Sequence, residues 1–126
     1  MSATMEMDKN ILVLPDLPAL LSGAADAAHA FVAAARPHVK ARICSEGGKV
    51  DRVLADVEQH VVHGFGWFAA YAEMLREVAS WAASLDAQGS FGEIEALLAQ
   101  LLFAEYGAQM LGGVPMNQGE VIRPTD

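Results

Sequence analysis

The chain is 126 residues long, 53% hydrophobic and 19% charged, with a net charge of −8. One domain with a real core fits that length, and the negative charge argues against nucleic acid or an anionic membrane surface as a partner. No uninterrupted apolar run reaches the ~20 residues that a membrane span needs, so none is expected.

Met1 to Asn10 is acidic and lacks the basic-then-apolar order of a signal peptide,. Residues 1–15 read as a tail or arm whose apolar strip, Ile11 to Leu14, ends at Pro15,. A first helix is predicted from Asp16 as N-cap, with Pro18 in the first turn, where its missing N–H costs little. Leu20, Leu21, Ala24, Ala28, Phe31, Val32 and Ala35 follow at steps that match one helical face,. Pro37 predicts a kink or break, and the pattern resumes through Val39 and Ile43 to Gly47-Gly48. Arg36, Lys40, Arg42, Lys49 and Arg52 gather most of the basic charge between positions 36 and 52. A solvated helix end explains them more simply than an anchor for an acidic group. Cys44, the one cysteine, forms no internal disulfide, which fits a reducing compartment and sets a cytoplasmic expectation,.

The second helix is predicted as the central one, from Asp51 as N-cap to Leu85. One stripe runs Leu54, Val57, Val61, Phe65, Phe68, Ala72, Leu75, Ala79, Ala82; another runs Trp67, Tyr71, Met74, Val78, Trp81, Leu85. Two apolar stripes mean cover on two sides. Gly64 and Gly66 each cost about 1 kcal/mol relative to alanine in a helix, a cost that close approach of another backbone would offset. Gln88-Gly89 marks a turn, and Ser90 with Glu93 reads as a capping box that opens a third helix,. That helix carries Ile94, Leu97, Leu98, Leu101, Leu102, Phe103, Ala104, Ala108 and Leu111 and stops at Gly112-Gly113,. Val114 to Asp126, with Pro115, Gly119 and Pro124, reads as an extended tail or linker.

The expected fold is therefore all-α: an antiparallel bundle of about three long helices over residues 16–113, the first kinked near Pro37, with an extended C-terminal tail over 114–126. Charge is absent from Ala96 to Ala104 and from Gln59 to Ala72. A three-helix bundle has one interior, so part of that surface is expected to meet a second chain or domain.

Chemistry-bearing residues concentrate in Glu58, Gln59, His60 and His63, with Glu105 and Gln109 facing them from the third helix. His60 and His63, three residues apart, share a helical face and have metal-ligand spacing. Carboxylate-bridged di-metal bundles, however, repeat a Glu-x-x-His unit, and Val61 stands three residues after Glu58. The preferred reading is a structural polar cluster that fixes helix register, with no catalytic, cofactor or metal role. Cys44 has no companion base. The Gly64-Phe65-Gly66 triplet lies inside a helix, where it makes no phosphate loop.

Three blocks resemble a known family. They are Glu58-Gln59-His60-x-x-His63-Gly64 with Trp67 and Tyr71; Phe103-x-Glu105-Tyr106-x-x-Gln109; and Gly112-Gly113-Val114-Pro115-Met116-x-Gln118-Gly119-Glu120 with Arg123-Pro124. Together they resemble the N-terminal helical extension of the methylsuccinyl-CoA dehydrogenase-like branch of the acyl-CoA dehydrogenases. Val114 and Asn117 stand where Ile and Ser are expected. The resemblance implies a domain ahead of a dehydrogenase body that binds FAD and a CoA thioester and passes electrons to a flavoprotein. The chain itself would be cofactor-free, with the downstream body or a sister subunit as partner and a homo-oligomer expected. The alternative is a free-standing bundle that homo-oligomerises or binds a small apolar ligand.

Overall fold

A computed structural model describes residues 12–126; most of the predicted arm, residues 1–11, lies outside the described residues. Its elements are α1 (Leu17–Ile43), α2 (Arg52–Val57), α3 (Gln59–Ala87), α4 (Glu93–Gly112), β1 (Val114–Asn117) and β2 (Glu120–Ile122). The all-α expectation holds, with a small hairpin added at the C-terminal end.

Asp16 occupies the N-cap of α1 but does not act by its side chain. It sits in the left-handed region at φ 53 and makes no side-chain cap bond, a conformation that Asp tolerates better than most residues. Its carbonyl accepts from Leu20 N at 3.1 Å. The break allowed for at Pro37 does not occur: α1 runs continuously to Ile43. Proline removes one N–H, which frees the Ala33 carbonyl, and both residues are exposed, so water can take the bond. Lys40 and Arg42 in the last turn complement the helix dipole,.

The predicted second helix is two helices. Asp51 caps α2 as expected, its Oδ1 accepting from Val53 N at 2.8 Å and Leu54 N at 3.1 Å. At Glu58 the backbone leaves helical geometry (φ −94, ψ 21) and α3 begins. Neither glycine nor proline marks the spot. Leu54 and Val57, assigned to the buried stripe, are consequently exposed on α2.

α3 is the central helix. It buries Phe68, Ala72, Leu75, Ala79 and Ala82 of one stripe and Tyr71 of the other, together with Gly64. Leu17, Leu21, Ala25, Ala28 and Val32 of α1 lie along it, antiparallel, with the Phe31 and Phe68 rings 5.1 Å apart and Arg36 5.6 Å from the Phe65 ring centroid. Alanine on both sides permits this close packing at little side-chain entropy cost. By length and composition alone α1 is also long and apolar enough to cross a membrane, with a mean hydropathy of 1.3. Here Leu17, Leu21, Ala25, Ala28 and Val32 of α1 enter the core.

The Ser90–Glu93 capping box does not form. Ser90 N instead donates to Leu85 O at 2.8 Å, closing the end of α3. The chain then runs extended through Gly92, the actual N-cap, which makes no side-chain cap bond. That detour seats Phe91 against the core. α4 ends where expected, on Gly113 at φ 137, whose N–H donates to Gln109 O at 2.7 Å.

The C-terminal segment is extended, as expected, but pairs with itself. β1 and β2 run antiparallel with Val114 opposite Ile122, Pro115 opposite Val121 and Asn117 opposite Glu120. Gly119 at φ 77 completes the turn after Gln118. Val114, Met116 and Ile122 are buried in the common core. Gly64 provides the seat: a Cβ there would overlap Ile122 Cγ1 and lie 2.9 Å from its Cβ. The close approach expected at this glycine is therefore to a side chain, not a backbone. Nothing lies within 4 Å of a Cβ placed on Gly66.

Candidate functional site

Five of the six residues read as one polar cluster fall into three groups. The first is a ladder between α3 and α4. His63, exposed one turn before Trp67, accepts at Nε2 from Trp67 Nε1 at 3.1 Å. The Trp67 and Tyr71 rings meet edge to face at 5.9 Å, and Tyr71 meets Tyr106 of α4 the same way at 4.9 Å. The Tyr71 hydroxyl donates to Gln109 Oε1 at 2.7 Å, and Gln109 Nε2 donates to Glu105 Oε1 at 3.1 Å. His63, Glu105 and Gln109 thus belong to one chain of contacts, joined by an aromatic stack and not by direct bonds between histidine and carboxylate. Edge-to-face pairs contribute about 0.5–1.5 kcal/mol beyond burial. The Tyr71 pKa is raised above 10.0 by burial first, then by the neighbouring Tyr106 and Glu105 charges.

The second group joins three segments at one end of the bundle. Arg42 of α1 meets Glu58 at the α2–α3 break, Nη1 to Oε2 at 3.4 Å, and its Nη2 donates to the Asp126 carbonyl at 3.4 Å. In the third, His60 Nδ1 lies 3.8 Å from Glu120 Oε1 of β2, with both side chains more than two-fifths exposed. Exposed pairs of this kind contribute little, about 0–1 kcal/mol. Gln59 is exposed at the start of α3. Among the described residues no three His, Cys, Asp or Glu side chains converge as metal ligands; His60 and His63 turn to different partners.

The tail motif has a geometric use throughout. Gly112 ends α4, Gly113 reverses the chain, Pro115 takes an outward position, Met116 fills the core, and Gln118-Gly119 makes the turn. Arg123 N then donates to Asp126 Oδ2 at 2.8 Å. The alternation of Val114 with Met116 ahead of Gln118-Gly119 was the signal for a hairpin.

An apolar groove of about 330 Å³ opens between α1 and α4, floored by Phe68 and Leu75 and walled by Phe31, Phe103 and Met110, with Pro124 at one side. The outer surface of α4 is also apolar: Ile94, Leu98, Leu101 and Leu111 are 51–85% exposed.

No protein-family model matches the sequence. Over 114 residues, 90% of its length, the chain is 41% identical to (2S)-methylsuccinyl-CoA dehydrogenase of Cereibacter sphaeroides. This chain is related to a segment of that dehydrogenase. It spans 21% of the relative's length. The resemblance read from the three blocks is borne out, and the matched stretch is longer than those blocks, reaching into the N-terminal part of the bundle.

Proposed function

We propose that the chain acts as a non-catalytic, N-terminal helical domain of an acyl-CoA dehydrogenase-like flavoenzyme, packing on the dehydrogenase body or on a neighbouring subunit in the cytoplasm. The observation that carries this reading is the 41% identity to a methylsuccinyl-CoA dehydrogenase confined to 21% of its length. Exposed leucines on α4 support the packing role, because an apolar face of that size on one helix is costly to leave in water.

FAD fits poorly among the described residues. A pyrophosphate commonly sits on a helix N-terminus with free N–H groups and compatible charge, and α3 opens on the acidic Glu58 at its N-cap. α4 opens on Glu93 and Glu95, whose charges repel a pyrophosphate, and the first turn of α1 contains Pro18, which has no N–H to offer. The flavin and the thioester chemistry belong, on this reading, to the remaining four-fifths of a dehydrogenase-like polypeptide.

Two measurements test the proposal. Immunoprecipitation from the source cell followed by intact-mass analysis should find the chain's sequence within, or tightly bound to, a much larger flavoprotein. The isolated chain should purify colourless and reduce no electron acceptor with any acyl-CoA. Stoichiometric flavin on the isolated chain, or a native polypeptide with no dehydrogenase body attached or bound, would overturn it.

A further inference from the structure

α4 carries an unpartnered seam. Ile94, Leu97, Leu101, Ala104, Ala108 and Leu111 follow one another at steps of three, four, three, four and three, the repeat that keeps one stripe of a helix against a partner helix. The stripe turns away from α1 and α3: the residues of α4 that enter the core are Ala96, Ala99 and Met110, while Ile94 is 69%, Leu101 65% and Leu111 85% exposed. At about 1.5 Å per residue the seam is roughly 26 Å long. A second segment widens it. Gln100 accepts from Leu14 N at 2.9 Å and donates to Leu12 O at 2.8 Å, which holds two more exposed leucines beside α4.

We infer that this seam pairs with the same seam of a second copy of the chain, antiparallel about a twofold axis near residues 102–103. The order of large and small residues selects that occupant and that direction. In antiparallel register Ile94 faces Leu111, Leu97 faces Ala108, and Leu101 faces Ala104, so each inner leucine meets an alanine and the layers interdigitate. A parallel pair sets Leu101 against Leu101 and Ala104 against Ala104, crowding one layer and leaving a void in another. Charge agrees with the antiparallel arrangement. The acids flanking the seam, Glu93 and Glu105, fall level with Gly112 and Gln100 of the other copy, so no acid stands level with an acid across the axis, whereas a basic flank for a different charged partner is missing from α4. A twofold contact needs one self-complementary surface and nothing else.

The pairing deepens the neighbouring-subunit part of the proposed function, and it is measurable without a dehydrogenase body. One helix pair with its flanking arm lies at the low end of stable interface size, below about 1,200 Å², so a micromolar dimer is expected. Sedimentation velocity of the chain should show a monomer–dimer equilibrium in that range. Leu101→Glu buries a carboxylate opposite Ala104 and should weaken the dimer on the order of 100-fold or more, with helical circular dichroism retained because Leu101 is exposed in the monomer. Val53→Glu, an equally exposed change on α2, should leave the dimer intact. Direction is read by cross-linking in a Cys44→Ser background with a short bismaleimide. Ile94→Cys mixed with Leu111→Cys should give a heterotypic dimer, and either variant alone should give none. A monomer at high micromolar concentration, an unaffected Leu101→Glu dimer, or homotypic cross-links would each overturn the pairing. A dimer with the expected cross-links from a chain whose native form has no dehydrogenase body would sink the dehydrogenase reading alone.

Discussion

Gly64 and Gly66 are two residues apart on α3 and predict opposite responses to the same substitution. Alanine in place of either gains about 1 kcal/mol of helix propensity. At Gly64 the new methyl must displace Ile122, and overpacking of a core costs about 1–3 kcal/mol. Gly64→Ala should therefore lower the melting temperature, while Gly66→Ala, with open space around it, should raise it. Thermal melts of the two variants decide this, and adding Ile122→Ala to Gly64→Ala should remove the clash component. Tyr71 provides a second test at this scale. Its hydroxyl donates to Gln109 and its pKa is raised above 10.0, chiefly by burial. A raised folded-state pKa means that the unfolded chain loses the proton first, so the stability is fully present below pH 10 and is lost as pH rises through the folded pKa. Tyr71→Phe should cost about 0.5–1.5 kcal/mol at neutral pH and flatten the loss of stability above pH 10, measured by denaturant titration at several pH values. By contrast His63, exposed and bonded only to its helical neighbour among the described residues, should tolerate alanine with under about 1 kcal/mol lost, and EDTA should change neither protein.

Among the elements, those legible in the sequence were the ones whose signals are local. Asp51 caps α2 with two side-chain bonds, and Gly113 stops α4 at a φ that glycine favours. Ser90 and Glu93 carry an equally good local signal, yet the pull of Phe91 toward the core moves the helix start to Glu93. The interruption at Glu58 has no signal of its own, because neither a breaker residue nor a change in hydrophobic period precedes it. Arg42, sixteen residues earlier, meets Glu58 there, a contact invisible to any short window. The polar cluster failed for a similar reason: shared helical spacing placed His60 and His63 together, but β2 drew one away and Trp67 the other. α2 gives the element-scale prediction. It buries no side chain, so Asp51→Ala should cost about 1 kcal/mol locally, seen as faster amide exchange over residues 52–57, with global melting almost unchanged.

At the scale of the molecule, the hairpin redraws the domain. Reading the tail as a linker from Val114 omits three core side chains, Val114, Met116 and Ile122. Burial of each is worth about 1.5–3 kcal/mol as an upper estimate, against a total stability of only about 5–15 kcal/mol for an ordinary domain. A chain shortened to end at Gly113 should therefore lose cooperative melting and bind hydrophobic dye, while one ending at Arg123 should melt as a unit. The bundle's overall plan was legible because α1, α3 and α4 carry long apolar periods. The hairpin's docking was not, since it depends on a missing methyl at Gly64, some sixty residues from the strand it receives.

Gln100 holds Leu12 and Leu14 through one carboxamide, accepting from a backbone N–H and donating to a backbone carbonyl. Those two bonds are the pair that a neighbouring β-strand would offer. A side chain is thus serving as a one-residue strand, and such a mount fails in shear differently from a packed helix. Under tension applied from the N-terminal side, the short polar clasp should let go before the leucines and alanines of α1 slide off α3, giving a small reversible extension ahead of the main rupture. In Gln100→Leu, which keeps bulk and removes both bonds, the first event should vanish from single-molecule pulling traces while the main rupture force stays the same.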